Sequence, residues 1–580
     1  MTPRTWLASE TRQAWVAPAV IVLLALAASV TSIGHDFTYD DRYIVLLNDH
    51  VHSLKHLWRL FGQTYWPKEQ GSDGYRPFVM VLFTLQWVVG SGAPWVFHLV
   101  NILMAIGAAL AVYWCARAML APLPAGVAAA LFAVHPVHVE VTGNIVGQSE
   151  LLVAIFLCLA VGIYLRARQR GALQGREYAA ILTLYVLGLF SKEHAIVLPV
   201  LLAAAEWTVV RDTGWRWTRP MRVFTLLLAA ISLAFLLVIS LVHHDSTGFN
   251  PYPAFAILHM TALDRAVTML TVIPRVGRLL VFPTQLSGDY SPSDVLIAHG
   301  FDIIQLPGLF ICIGMTVLAF ALRRKSPVAS FGLFWTIISY LPVSNLLVPA
   351  GFLVAERTLF FPSVGVVLIA GAVVAQVRMR EQRREQWVLA GAAGLLLALG
   401  LGRSIDRQRV WKNNIVFFDA LIQDAPTSYR AHYLRAKLLG EEGKLREMEV
   451  EYHRAIRLFP YDVAMVLQIA SDYHRAGNCR PVVPMLRWAY AVMPEAGDGR
   501  VAYVQCLVHA DQWNDARTEA LAGLRVVRAN DVHRLRALIA QTDSALGRRR
   551  PRSGAPALGL LQTARDSANS RIAAARPAGN

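Results

Sequence analysis

Uncharged, apolar runs close to the length of a membrane helix recur through the first 400 residues, at 15–33, 94–116, 223–242, 303–322, 326–355 and 358–377. A helix needs about 20 such residues to cross a bilayer core, so each run predicts a span. Shorter runs at 123–139, 151–165, 178–190, 194–205 and 386–402 suit helices whose ends are shielded by neighbours, which brings the predicted number to eleven. Arg4 and Arg12 precede the first run and put the N-terminus on the cytoplasmic side. Counting alternately, the basic loops near Arg117, 166–170, 211–222, 323–325 and 378–384 fall on that side as well. A cleavable signal peptide is the alternative for the first run, but its apolar stretch exceeds the ~7–15 residues usual for one. The stretch 264–283 is apolar yet carries Arg265, Arg275 and Arg278. Arginines facing lipid are costly, so a re-entrant or interfacial position is expected for it, or the wall of a polar cavity beneath the extracytoplasmic surface.

Beyond residue 402 the pattern changes. Pro426, Pro460 and Pro494 lie 34 residues apart, the tetratricopeptide period, and the pairs Ala455/Ala489 and Tyr452/Leu486 keep the same offset. Residues 432–460 read as two amphipathic helices with Gly440 and Gly443 flanking their turn. The organisation predicted is a multispanning domain over 1–402, with its first extracytoplasmic loop at 34–93, and a linker over 403–426. Three degenerate repeats then form an α-solenoid over 427–528, and a C-terminal helix with a disordered tail fills 529–580. Parity puts the repeats outside the cytoplasm.

Composition agrees with this division. Of 580 residues 55% are hydrophobic and only 16% charged, which argues against a soluble enzyme and against disorder over most of the chain. The formal net charge of +16 sits largely in the orienting loops and the Arg-rich end, so no nucleic-acid partner is expected. Five cysteines show no metal spacing; only Cys479 and Cys506 suit a disulfide, in an oxidising compartment.

Candidate chemistry collects at the extracytoplasmic ends of the spans. Asp40 and Asp41 follow the first span; a carboxylate there can take a proton from a hydroxyl or hold a divalent ion, or simply cap a turn. Arg76 can grip a phosphate or snorkel at the interface, beside an apolar stretch, 78–90, that is too short to span. His135, His138 and Glu140 could meet a sugar hydroxyl, but the two histidines lack a convincing ligand set and no metal site is expected. Lys192-Glu193 and Glu356-Arg357 are adjacent opposite charges, suited equally to ligand contacts and to ion pairs that lock helices.

The order of these segments is itself informative. YDD (39–41) is followed by YRPF (75–78), FHLVNIL (97–103), LFAVHPVHVEVTGNIVGQSELL (131–152) and FSKEHAIVLP (190–199). VFPTQLSGDYS (281–291), PVSNLLVPAGFLVAERTLFFPSVG (342–365) and the repeats complete it. Over roughly 34–528 the chain resembles the membrane O-mannosyltransferase-like family with transmembrane and tetratricopeptide regions, within the C-type glycosyltransferase superfamily. That resemblance implies an all-α polytopic membrane bundle followed by a tetratricopeptide solenoid. It implies an inverting, single-displacement enzyme that moves mannose or another hexose from a polyprenyl-phosphate donor to a hydroxyl on a protein or glycan acceptor outside the cytoplasm. Asp40 or Asp41 would be the base. Arg76, His135, His138, Glu140, Lys192, Glu193, Glu356 and Arg357 would line the site, with Arg275 and Arg278 as further cations for the donor phosphate. The acidic pair permits a divalent cation without requiring one. Membrane lipids and a protein on the repeats are the other partners expected, and the Ala/Arg-rich composition suggests a bacterial inner membrane. A non-enzymatic membrane-anchored repeat scaffold for envelope assembly is the alternative. A lipid-linked-sugar transporter ranks below it, because that function would put ionisable groups at mid-membrane.

Overall fold

The structure, a computed structural model, describes residues 3–67, 74–210, 218–243, 260–291, 297–298, 300–379, 383–459, 462–475, 479, 481–492, 494, 497, 499–527 and 529–547. Pro460 and the C-terminal tail expected to be disordered lie outside the described residues.

Among the described residues every regular element is helical. The first half contains α1 (Pro3–Ser29), α2 (Pro77–Gly90), α3 (Pro94–Ala116), α4 (Pro122–Ala133), α5 (Val139–Gly143), α6 (Gln148–Gln169), α7 (Gly175–Ser191), α8 (Leu198–Ala205) and α9 (Arg219–Val242). The second half contains α10 (Ala262–Val281), α11 (Leu306–Lys325), α12 (Pro327–Tyr340), α13 (Phe360–Met379), α14 (Arg383–Gln408), α15 (Asn414–Asp424) and α16 (Tyr429–Glu441). Proline stands in the first turn of α2, α3, α4, α9, α11 and α12, where its missing N–H costs nothing.

Eight helices among the described residues are long and apolar enough to cross a membrane, and a ninth span arises if α4 and the segment Pro136–Gly143, bent by 50°, count as one. The chain is therefore an integral, multi-pass membrane protein. Of the eleven expected spans, the two outside this set fall on helices of fewer than 18 residues. The run 178–190 lies in α7, which is 17 residues long, and 326–355 is helical only over the 14 residues of α12. A short turn at Leu341–Val343 containing Pro342 follows α12, and Asn345 then adopts φ 59°, so the run bends away. The Arg-bearing stretch is the helix α10 and is not among the eight.

The core lies where α1, α3, α4, α6, α7 and α13 meet, and small residues let the helices approach closely. A Cβ on Gly332 of α12 would lie 2.5 Å from the carbonyl oxygen of Gly365 in α13, and one on Gly365 would lie 2.2 Å from that of Gly332. In lipid, where apolar surface alone gives little drive for association, such backbone contact carries the packing.

The chain divides into two compact units, residues 1–252 with 261–438 and residues 253–260 with 439–580. The second unit contains α17 (Leu445–Leu458), α18 (Val463–Arg475), α19 (Val483–Val492), α20 (Arg500–His509), α21 (Trp513–Gly523) and α22 (Ala529–Ala545), packed in succession. Tyr452, Ala455, Leu486 and Ala489, the positions that recur every 34 residues, are all 1% exposed or less. A disulfide joins Cys479 to Cys506.

Candidate active site

The segment after α1 turns back over the end of the bundle, and the acidic pair sits in it with two different environments. Asp41 is fully buried and accepts three backbone amides: Thr38 at 3.3 Å, Ile145 at 3.1 Å and Val146 at 2.9 Å. Ile145 and Val146 open the turn that leads into α6, so the carboxylate occupies a helix start, where free N–H groups favour negative charge. Gly147 allows this turn, since a Cβ there would fall 2.0 Å from the carbonyl oxygen of Val141. Burial pushes the Asp41 carboxyl up to about 8, while the three amides work in the opposite direction.

Asp40 is 7% exposed and has one close ionic partner, the Arg357 guanidinium at 3.5 Å. Burial raises its carboxyl above the ordinary carboxylate range, opposed by the charges of Arg357, Arg430, Arg76 and Lys192. Arg357 is shared. Its Nη1 donates to Glu140 Oε1 at 2.6 Å and its backbone N–H to Glu140 Oε2 at 2.8 Å. Glu140 belongs to α5, Arg357 to the turn before α13 and Asp40 to the first loop, so three distant segments meet at one cation.

The adjacent opposite charges do not pair with each other. Lys192 bonds to the fully buried Glu150 of α6, which also faces His194 Nδ1 at 3.7 Å. Burial lowers the Lys192 ammonium from its usual range while Glu150 holds it charged. Glu193 takes the amide of Tyr75 at 2.7 Å and Arg76 Nε at 3.3 Å, and the Arg76 guanidinium lies 4.4 Å from the centre of the Tyr65 ring. Glu356 accepts from the Ser287 amide at 2.6 Å and from the Tyr290 hydroxyl at 2.5 Å, which fastens the loop 284–291.

Asp40, Glu140 and Arg357 thus come together, with Arg76 and Lys192 close enough to act on Asp40 electrostatically. His135 and His138 do not join them: His135 Nε2 meets the carbonyl oxygen of Leu280 at 3.0 Å, and His138 Nε2 meets Ser363 Oγ at 2.8 Å. Arg278 bonds to Gln285 at 2.9 Å, and Arg275 lies 5.6 Å from the ring of Tyr290. Among the described residues no three metal ligands converge around Asp40; the one such group is His474, Cys479 and Cys506 in the second unit. Arg357 supplies positive charge at both Asp40 and Glu140.

Several residues of the centre carried no separate signal in the sequence. Glu150 lies in the segment 131–152, where nothing in its spacing sets it apart. Asp289 is buried and accepts from Ser291 at 3.0 Å and from the Ser428 hydroxyl at 2.6 Å; Arg430 stands 3.9 Å from it. Ser428 precedes α16 and Arg430 lies in its first turn, in the stretch read as repeats, so only folding shows that they approach Asp289.

No protein-family profile matches the chain. Curated relatives are found over most of it. A Caenorhabditis elegans protein O-mannosyl-transferase, F38B6.6, is 25% identical over 452 residues, covering 76% of this chain and 62% of the relative. The human protein O-mannosyl-transferase TMTC3 is 23% identical over 517 residues, covering 83% and 55%. The Drosophila melanogaster protein O-mannosyl-transferase Tmtc2 is 33% identical over a shorter stretch, 278 residues, covering 46% and 29%. The chain thus spans about three-fifths or less of the length of these relatives. Among solved structures, the Archaeoglobus fulgidus oligosaccharyltransferase tethered with an acceptor peptide aligns with a TM-score of 0.38 and 14% identity, covering 68% of this chain and 55% of that one.

Proposed function

We propose that this chain, similar over three quarters of its length to protein O-mannosyl-transferases, is an integral-membrane inverting glycosyltransferase. It moves mannose or another hexose from a polyprenyl-phosphate donor to a hydroxyl acceptor on the extracytoplasmic side, in a bacterial inner membrane, with the repeat unit aiding acceptor or partner binding. The observation that carries this reading is the contrast within the acidic pair. Asp41 is saturated by three amides, whereas Asp40 has one loose ionic partner and a raised affinity for protons.

In this reaction Asp40 is the general base. It takes the proton of the acceptor hydroxyl as the new carbon–oxygen bond forms at the anomeric carbon, on the face opposite the leaving group. The bond from that carbon to the phosphate oxygen breaks, and the polyprenyl phosphate leaves with the electron pair. Arg76 and Lys192 are the cations that stabilise this developing charge; each is already paired with a glutamate, which keeps it fixed before substrate arrives. Arg357 holds Asp40 ionised without a tight hydrogen bond that would compete with the substrate proton. One displacement inverts the anomeric configuration. Asp41, by this account, anchors the loop.

The test is release of labelled sugar from radiolabelled polyprenyl-phosphate mannose and related donors by the purified full chain, with an extracytoplasmic protein extract as acceptor source. Turnover by the wild type and none by folded Asp40→Asn supports the reading. Equal turnover by both removes Asp40 as base. No turnover by the wild type with any donor transfers weight to a non-enzymatic scaffold.

A further inference from the structure

The residue immediately before Asp40 has an unusual backbone. Tyr39 adopts φ 59°, one of four non-glycine residues with positive φ among those described. An aromatic residue disfavours the left-handed region, because its Cβ crowds the following carbonyl, and it stays there only where its surroundings over-determine it. Those surroundings come from the segment after the last span. The Tyr39 N–H donates to Asn414 Oδ1 at 2.7 Å. Its ring stacks on Phe417 with centroids 5.0 Å apart and meets Phe418 edge-on at 6.3 Å. Two further bonds bind the same strip: Asp36 N–H to the Lys412 carbonyl at 2.9 Å, and the Thr38 hydroxyl to the Trp411 carbonyl at 3.1 Å. On the other side of Asp40, Asp41 is fastened to the start of α6.

Asp40 therefore lies between two fixed neighbours, held by parts of the chain nearly 270 residues apart (Ile145 and Asn414). We infer that Asn414 and Phe417 of α15 are positioning residues for Asp40, holding Tyr39 in its left-handed conformation so that the Asp40 carboxylate meets the acceptor hydroxyl rather than solvent. This deepens the reading of Asp40 as the base and rests on it. Asn414 serves through one acceptor oxygen, and Phe417 through one ring face.

The test measures kcat and donor KM of the full chain with radiolabelled polyprenyl-phosphate mannose, together with hydrogen exchange at the Tyr39 amide. Asn414→Ala and Phe417→Leu should lower kcat about tenfold or more, since small misplacements of a reacting group are costly, and leave donor KM nearly unchanged. Asn414→Asp keeps the acceptor oxygen and puts a charge favoured in the first turn of a helix, so it should restore most of the rate. The Tyr39 amide should exchange about tenfold faster or more in Asn414→Ala. Wild-type kcat in Asn414→Ala, equal loss in Asn414→Ala and Asn414→Asp, or unchanged exchange at Tyr39 would overturn the inference. If Phe417→Leu unfolds the chain, the Asn414 series decides. A separate control keeps the two ideas apart: full turnover by Asp40→Asn defeats the base assignment, whereas an inactive Asp40→Asn beside normal Asn414→Ala defeats only the positioning role.

Discussion

The Arg357 guanidinium stands 3.5 Å from the carboxylate of Asp40, too far for a strong hydrogen bond and near enough to govern its charge. The same guanidinium is committed to Glu140 at 2.6 Å, and the Arg357 backbone N–H is bound to Glu140 as well. Glu140 thus fixes the arginine, and the arginine biases the aspartate. The Asp40 carboxylate is thus left without a tight hydrogen bond from the arginine, as the proposed role of general base requires.

The two aspartates should separate by the kind of damage their loss causes. Asp40→Asn should lower turnover by about 10²–10⁴-fold, the usual range for a lost general base, with little change in melting temperature. Asp41→Asn should instead lower stability by on the order of 1–3 kcal/mol, because both carboxyl oxygens accept buried amides and the variant keeps only one acceptor oxygen. Thermal melts beside turnover assays distinguish these outcomes; a stable, inactive Asp41→Asn would reverse the assignment.

The activity of the wild type should fall toward acid, because the base must be ionised. Its limb should lie above the ordinary carboxylate range, since burial raises the Asp40 carboxyl. Removing the positive charge in Arg357→Gln should move that limb to higher pH, because Arg357 opposes the rise. For stability the sign is the reverse. A raised carboxyl binds its proton more tightly in the folded state, so its contribution is fullest in acid and is lost as pH rises through the folded value. A pH–rate profile of the two proteins checks the first statement, and melting curves across the same pH window check the second.

Lys192→Met should destabilise the first unit by about 3–5 kcal/mol, since it strands the fully buried Glu150 without its ammonium partner. Adding Glu150→Gln should recover much of the loss, because the uncompensated charge is gone. If the double variant were no more stable than Lys192→Met, the buried pair would not be the cause. Urea unfolding in mild detergent provides the measurement.

Reduction of the Cys479–Cys506 disulfide, or Cys479→Ser with Cys506→Ser, should lower the stability of the repeat unit by about 3–4 kcal/mol, as the cross-link closes a loop of 27 residues. The first unit should melt unchanged. Calorimetry with and without reductant reads both transitions, and an unaltered second transition would defeat the prediction.

Sequence alone determined what short-range pattern can specify. Apolar runs of membrane length yield helices, because backbone groups in lipid must bond internally, although the run 326–355 is α-helical only over the 14 residues of α12. The 34-residue offset of Tyr452/Leu486 and Ala455/Ala489 marks buried positions, because equivalent places in stacked helix pairs face the same core. It also brought Asp40, Glu140, Arg76, Lys192 and Arg357 under suspicion, since ionisable groups at span ends are expensive unless used. Tertiary structure decided which partner each charge takes. Lys192 could as readily have met Glu193 beside it, but the extended backbone at Lys192 and the turn that follows send the two side chains to Glu150 and Arg76. The difference between Asp40 and Asp41 is likewise invisible in two identical letters. It arises because the start of α6 presents its amides to one of them, while Tyr39, held by Asn414 far along the chain, turns the other toward Arg357.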